Sequence, residues 1–249
     1  MIVRDQPECF PGDVLVRVSS REDGTVLDRA VGLHNPAVVT NRTRFCEEQG
    51  VSYGDVVYQK INYDHVQTFD RIEIVGKQHT CKYVDEVPAD ALVTDEEGVG
   101  ILLPVADCVA TVIYDQPRRR LAMAHLGRHS TVADLMMKLL DHMKDAGSAM
   151  EDLIIWMAPS VRQEHYRMEY FDLSDAPRWR DHCLQKDGGF YLDLAGYNKA
   201  RAIEAGVRPE RIYLSDVDTA TDPNYFSHSK GDTTGRFAVL AMMIAHDIN

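Results

Sequence analysis

The chain has 249 residues, 45% of them apolar, which is enough for one sizeable core. Its formal charge of −12 argues against nucleic acid as the main partner, because a phosphate backbone demands a basic footprint. No stretch approaches the roughly 18 uninterrupted apolar residues of a membrane span, so no membrane association is expected either.

The N-terminus, MIVRDQPECF, has no apolar run flanked by basic residues, so no signal peptide is expected. Cysteines stand at positions 9, 46, 81, 108 and 183. An odd number without a C-x-x-C pair suits reduced thiols in the cytoplasm rather than a disulfide framework. No Pro/Gly/Ser-rich linker, charge block or repeat divides the sequence, and residues 1–249 read as a single domain.

The first element in chain order is an edge strand, DVLVRVS (Asp13 to Ser19). A helix follows in NPAVVTNRTRFCEEQG, with Asn35 as cap, Pro36 at the first helical position and Gly50 past the end. DVVYQKI, VQTFDRIEIV, CKYV, ALV and GILLPV are strand-like. VATVIY and LAMA are two more, joined by a polar turn with Pro117 and three arginines, and they read as a hairpin. Ser130 is expected to cap one helix, TVADLMMKLLDHMKDAG, whose apolar stripe is Val132, Leu135, Met136, Leu139 and Met143. LIIWMAP is a buried strand, and the polar, aromatic stretch from Gln163 to Gly189 shows no regular period. Asp193 caps the helix LAGYNKARAIEAG, RIYLS is a strand, and the chain closes on an apolar helix or strand, RFAVLAMMIAHDI. Strands and helices alternate, with some strands in adjacent pairs, which indicates an α/β (α+β) fold with mixed β-sheets.

The hairpin carries the chemistry. It brings Cys108, before its first strand, toward His125, after its second. A thiolate beside an imidazole can hold a transition metal, or act as a nucleophile with its base. Asp107, next to the thiol, is a candidate general acid or base, or equally a group that orients a ligand or a turn. In FSHSKGDTTGR, glycine and threonine donors with Arg236 form a candidate phosphate cradle.

The run ADALVTDEEGVGILLPVADCVATVIYD resembles the polyphenol oxidase (laccase-domain) family, whose members are better described as zinc-dependent purine nucleoside phosphorylases. Similar family elements are ADALVT at Ala89 to Thr94, ADC at Ala106 to Cys108, the D-P turn at Asp115 to Pro117, and TGR ending at Arg236. The resemblance covers most of the chain from about Val31 onward. It implies mixed sheets in a layered sandwich with flanking helices. It also implies phosphorolysis of adenosine- or inosine-type nucleosides, with adenosine deamination as a further activity and purine nucleoside and phosphate as small-molecule partners. Zinc is the implied cofactor, with Cys108, His125 and a second histidine as ligands.

Two departures bear on that reading. Strict register puts Asn62 where the family has the other histidine, so His65, three residues later, is the expected third ligand, with His79, His129 and Asn62 as alternatives. The family's HAGWRG stands here as HLGRHS, which replaces the tryptophan by Arg128 and the arginine by His129. Loss of the aromatic predicts weak activity on plain adenosine or inosine, whereas Arg128, His129 and Arg236 remain candidates to bind phosphate. Two alternatives stay open: a metal-free cysteine hydrolase using Cys108 and His125, and a non-enzymatic binding protein whose site has decayed. Homo-oligomerisation is also left open.

Overall fold

A computed structural model of the chain describes residues 1–63 and 67–245. The strands up to the hairpin are β1 (Val14–Val18), β2 (Leu27–Asp28), β3 (Val56–Lys60), β4 (Ile72–Ile74), β5 (Val87–Pro88), β6 (Ala91–Thr94) and β7 (Gly100–Val105), with helix α1 (Pro36–Glu48) after β2. The hairpin is β8 (Val109–Asp115) and β9 (Arg120–Leu126), followed by α2 (Arg128–Val132) and α3 (Leu135–Asp145). Then come β10 (Leu153–Met157), β11 (Arg167–Met168), β12 (Cys183–Lys186), β13 (Gly189–Leu192), α4 (Leu194–Glu204), β14 (Ile212–Leu214) and β15 (Gly235–Met243).

Two mixed six-stranded sheets dominate. One runs β1-β15-β7-β3-β5 with β2 also on β15, and the other runs β14-β10-β8-β9-β6-β4. Their strands are apolar on both faces, as sheets covered on both sides must be. Along β15, Phe237, Val239 and Ala241 enter the core between the sheets, while Ala238 and Leu240 face the cluster under α1 with Phe45 and Cys46. Along β8, Ala110, Val112 and Tyr114 point into that central core. Val109 and Ile113 point the other way, to α3 and α4. The period-2 alternation of side chains therefore builds a helix–sheet–sheet–helix sandwich.

The expected elements mostly stand. Asn35 accepts from the Ala37 amide at the start of α1, Asp193 accepts from the Gly196 amide at the start of α4, and β1 lies at a sheet edge. The closing segment, read as a helix or a strand, is a strand, because both its faces find apolar partners. Other readings change. CKYV is a turn, with the Cys81 amide bound to the Val56 carbonyl. Among the described residues of VQTFDRIEIV, Ile72–Ile74 forms the strand, and the stretch Gln163 to Gly189 contains β11 and β12, which flank β13 in a small third sheet.

The helix after the hairpin is two helices. Asp134 takes φ 61°, a left-handed conformation that aspartate tolerates and that ends α2 before α3 begins. Its carboxylate is held by a fork from Arg201 of α4, at 2.8 and 2.7 Å. The break rotates Val132 off the apolar stripe, leaving it exposed, while Leu135, Met136, Leu139 and Met143 are buried. Ser130 lies inside α2 rather than capping a longer helix. Its hydroxyl donates to the His125 carbonyl at 2.7 Å and accepts from the Gly127 amide at 3.0 Å, pinning the end of β9.

Candidate functional site

The site forms where the chain passes from one large sheet to the other. β7 belongs to the first and β8 to the second, and Ala106, Asp107 and Cys108 make the crossing. The reversal is sharp enough to put Asp107 at φ 76°. The Asp107 carboxylate then anchors two distant loops. Oδ1 accepts from the Thr219 hydroxyl at 2.7 Å, and Oδ2 accepts from the Ser229 amide at 2.6 Å.

The hairpin register pairs Ala110 with His125 and Val109 with Leu126. That register sets Cys108 beside Gly127, just past the end of β9. A β-carbon on Gly127 would stand 3.0 Å from the Cys108 Sγ, 3.0 Å from the His125 Cε1 and 3.6 Å from its Nε2. Glycine is needed here for close approach, since its φ of −86° is open to any residue. The thiol and the imidazole thus converge on the small gap that the missing side chain leaves.

Both groups are held neutral. Burial pushes the half-buried Cys108 thiol up to about 12, with Asp107 adding to the effect and Arg236 and Arg29 opposing it. Burial brings His125 down to about 4, and the positive fields of Arg29 and Arg236 act in the same direction. His125 Nδ1 is buried and, among the described residues, has no hydrogen-bond partner. Thiol and imidazole are donors that zinc favours, and the Gly127 gap lies between them, so these two residues fit that metal. No cluster of three or more metal-binding side chains occurs among the described residues.

Asp107, Cys108, His125, Arg128, His129 and Arg236 all line one cavity of about 820 Å3. His65 lies outside the described residues. His79 turns away to accept the Gly76 amide at 3.0 Å and does not line the cavity. Asn62 is also absent from the lining, although its neighbours Ile61 and Tyr63 belong to it. Arg128 and His129 touch through Nη2 and Nε2 at 2.8 Å, and the His129 ring stacks on Phe69 at 4.5 Å. Arg236 is buried, with its Nη1 donating to the Gly235 carbonyl at 2.6 Å.

Several lining residues carry no local signal in the sequence. Arg29 follows the two-residue strand β2 and lies over the Tyr63 ring at 5.1 Å. Tyr63 meets His125 edge-on at 6.5 Å and Phe69 at 6.1 Å. His165, in the stretch without a visible period, pairs its Nδ1 with Asp218 Oδ2 at 2.6 Å and lines the same cavity. The tryptophan replaced by Arg128 is therefore not the pocket's only source of aromatic surface, since Tyr63, Phe69 and Tyr166 supply rings from other elements.

Comparison with known proteins places this geometry in context. Residues 21–244 match the sequence profile of the family described as multi-copper polyphenol oxidoreductase laccase. A Mycobacterium tuberculosis protein named purine nucleoside phosphorylase is 27% identical over 215 residues, covering 86% of this chain and 82% of that protein. A protein from an unknown prokaryotic organism, named adenosine deaminase RL5, is 25% identical over 193 residues, covering 72% of this chain and 70% of that protein. The crystal structure of YlmD from Geobacillus stearothermophilus superposes with a TM-score of 0.82 at 21% identity, covering 98% of each chain, and shares the fold.

Proposed function

The chain belongs to the multi-copper polyphenol oxidoreductase laccase family, and we propose that it is a zinc-dependent purine nucleoside phosphorylase. The observation that carries this reading is the convergence of Cys108 and His125 on the Gly127 gap, inside a cavity that also presents arginines and aromatic rings. The relative named purine nucleoside phosphorylase supports the choice of reaction.

In phosphorolysis a phosphate oxygen attacks C1′ of the ribose and the bond from C1′ to the base breaks. The bonding pair leaves with the base, which takes up a proton. Arg236 and Arg29 flank the Cys108–His125 pair and would hold the attacking phosphate. Tyr63 and Tyr166 offer apolar faces to the base. Asp107, with both oxygens engaged, fixes the loops around the site. His165 lines the cavity with its Nδ1 donating to Asp218, and as an imidazolium it would deliver the proton from its other nitrogen. Cys108 and His125 would bind zinc, with His65 as the third ligand, and zinc there would supply a Lewis acid that helps to orient the substrate.

The protonation states favour this reading over a metal-free cysteine hydrolase. A nucleophilic cysteine works as a thiolate, which a basic neighbour must generate. A thiol pushed up to about 12 beside an imidazole brought down to about 4 stays neutral at pH 7. A metal, by contrast, has only the thiol proton to displace.

The test is to incubate the zinc-supplied protein with adenosine or inosine, with and without inorganic phosphate. Free base and ribose 1-phosphate should appear only with phosphate, and a chelator should stop the reaction. Turnover should fall below the ordinary enzyme range of roughly 1–10³ per second, because HLGRHS lacks the family tryptophan. If no base is released at any phosphate concentration, the reading is wrong.

A further inference from the structure

The acidic chain encloses a basic cavity. Arg29, Lys60, Arg128, Arg167 and Arg236 line it, against Glu86 and Asp107 as the acidic lining residues among those described. Both acids are already committed, Glu86 to Lys60 and Asp107 to Thr219 and Ser229. Among the described residues, Arg29, Arg128 and Arg236 make no ion pair with any carboxylate. Elsewhere Arg119 is paired with Asp13, and Arg201 with Asp134. Uncompensated guanidinium groups inside a cavity of a protein with net charge −12 call for an anionic ligand.

The cations form two groups. Arg236 and Arg29 flank Cys108 and His125, with Arg29 over Tyr63. Arg128 makes the second, its Nη2 donating to Nε2 of His129, whose imidazole is brought below its usual value by burial and by Arg128. A line of ring contacts joins the groups, from His125 to Tyr63, from Tyr63 to Phe69, and from Phe69 to His129. Aromatic surface therefore lies between two cationic ends. One inorganic phosphate would occupy one end and leave the other empty. The volume, about 820 Å3, is toward the top of the roughly 300–1,000 Å3 usual for small-molecule sites, so there is room for a larger ligand than a nucleoside.

We infer that the nucleoside this pocket accepts carries its own phosphate, as a purine nucleoside 5′-monophosphate, with Arg128 and His129 holding the ester phosphate. This rests on the purine-nucleoside reading above and narrows its substrate class. Arg29 and Arg236 keep the second, inorganic phosphate beside Cys108 and His125. The departure from HAGWRG to HLGRHS then exchanges a stacking ring for an anion clamp, with stacking left to Tyr63 and Phe69.

Calorimetric titration of the whole protein with AMP, adenosine and inorganic phosphate tests this. AMP should bind at least ten-fold more tightly than adenosine. Arg128→Gln and His129→Gln, each first shown to be folded by circular dichroism, should bring the ratio of the two affinities close to one. Equal binding of AMP and adenosine, or an AMP preference that survives both substitutions, overturns the inference. If adenosine binds and releases its base with phosphate while AMP gains nothing, the phosphorylase reading stands and only the inference falls. If neither adenosine nor AMP binds, both fall.

Discussion

Asp107 Oδ2 accepts the Ser229 amide at 2.6 Å, joining residues far apart in the chain at the edge of one cavity. The other oxygen accepts the Thr219 hydroxyl at 2.7 Å. An asparagine can reproduce both contacts, because its oxygen can face the amide and its NH2 group can donate to the threonine oxygen, which then accepts. Asparagine also tolerates the left-handed backbone found at this position. Asp107→Asn should therefore unfold in urea close to wild type, while Asp107→Ala should lose about 1–3 kcal/mol by leaving the buried Thr219 hydroxyl unpaired. Equal stability of the two variants would show that Asp107 does not brace these loops.

The proposed zinc site at the Gly127 gap is tested by metal content. Wild-type protein supplied with zinc should hold about one ion per chain, the stoichiometry of a single catalytic site. Cys108→Ser, His125→Ala and His65→Ala should each lose most of it while remaining folded. Gly127→Ala should also weaken binding, since its methyl would sit 3.0 Å from the Cys108 Sγ and from the His125 ring. Elemental analysis of the dialysed variants measures this. A wild-type protein that stays metal-free after loading would return the site to the cysteine-nucleophile or non-enzymatic alternatives.

Stability of the metal-free protein should depend on pH through His125. Its imidazole is brought from 6.5 down to about 4, chiefly by burial. Between those values the unfolded chain takes up a proton that the folded chain refuses, so stability present above pH 6.5 is lost as pH falls toward 4. The loss is on the order of 3 kcal/mol, from 1.36 kcal/mol per pH unit. Denaturant melts at pH 7 and 4.5 should show a steeper fall for wild type than for His125→Gln, and parallel falls would exclude the assignment. Cys108 acts at the opposite end. Its raised value means that stability declines as pH rises past 9 toward 12. At pH 7 iodoacetamide should label it more slowly than an exposed thiol.

The fork between Arg201 and Asp134 should stabilise the α2–α3 break. Arg201 is buried and Asp134 is partly exposed, so removing the acid leaves a buried cation with Glu204 as its remaining carboxylate partner. Asp134→Ala should cost about 2 kcal/mol or more, because it also places a β-carbon residue with no polar side chain at φ 61°. Asp134→Asn keeps one acceptor and tolerates the backbone, and should cost less. Urea unfolding of the two variants gives the comparison. The reverse order would mean that neither the fork nor the left-handed backbone at Asp134 sets the stability of the break.

The sequence by itself determined the layers and half of the site. Continuous apolar runs such as VATVIY and LIIWM make strands with two buried faces, and the caps at Asn35 and Asp193 depend on neighbours one turn away. The hairpin likewise placed Cys108 near His125, because two strands joined by a short turn have few ways to pair. Each of these features is local, so neighbouring residues suffice to specify it.

Tertiary structure decided the rest. The break at Asp134 is held by Arg201 from another helix, and the closing segment became a strand because apolar partners waited on both sides of it. Arg29, Tyr63 and His165 reach the cavity from separate segments whose local sequence has no periodicity to betray them, and Asp218 holds His165. The partners of Asp107, Thr219 and Ser229, come from distant loops and are set by the tertiary structure. Charge and hydrogen bonding act through space. The side chains that share a site are set by packing of the whole chain, and a one-dimensional pattern does not record those distances.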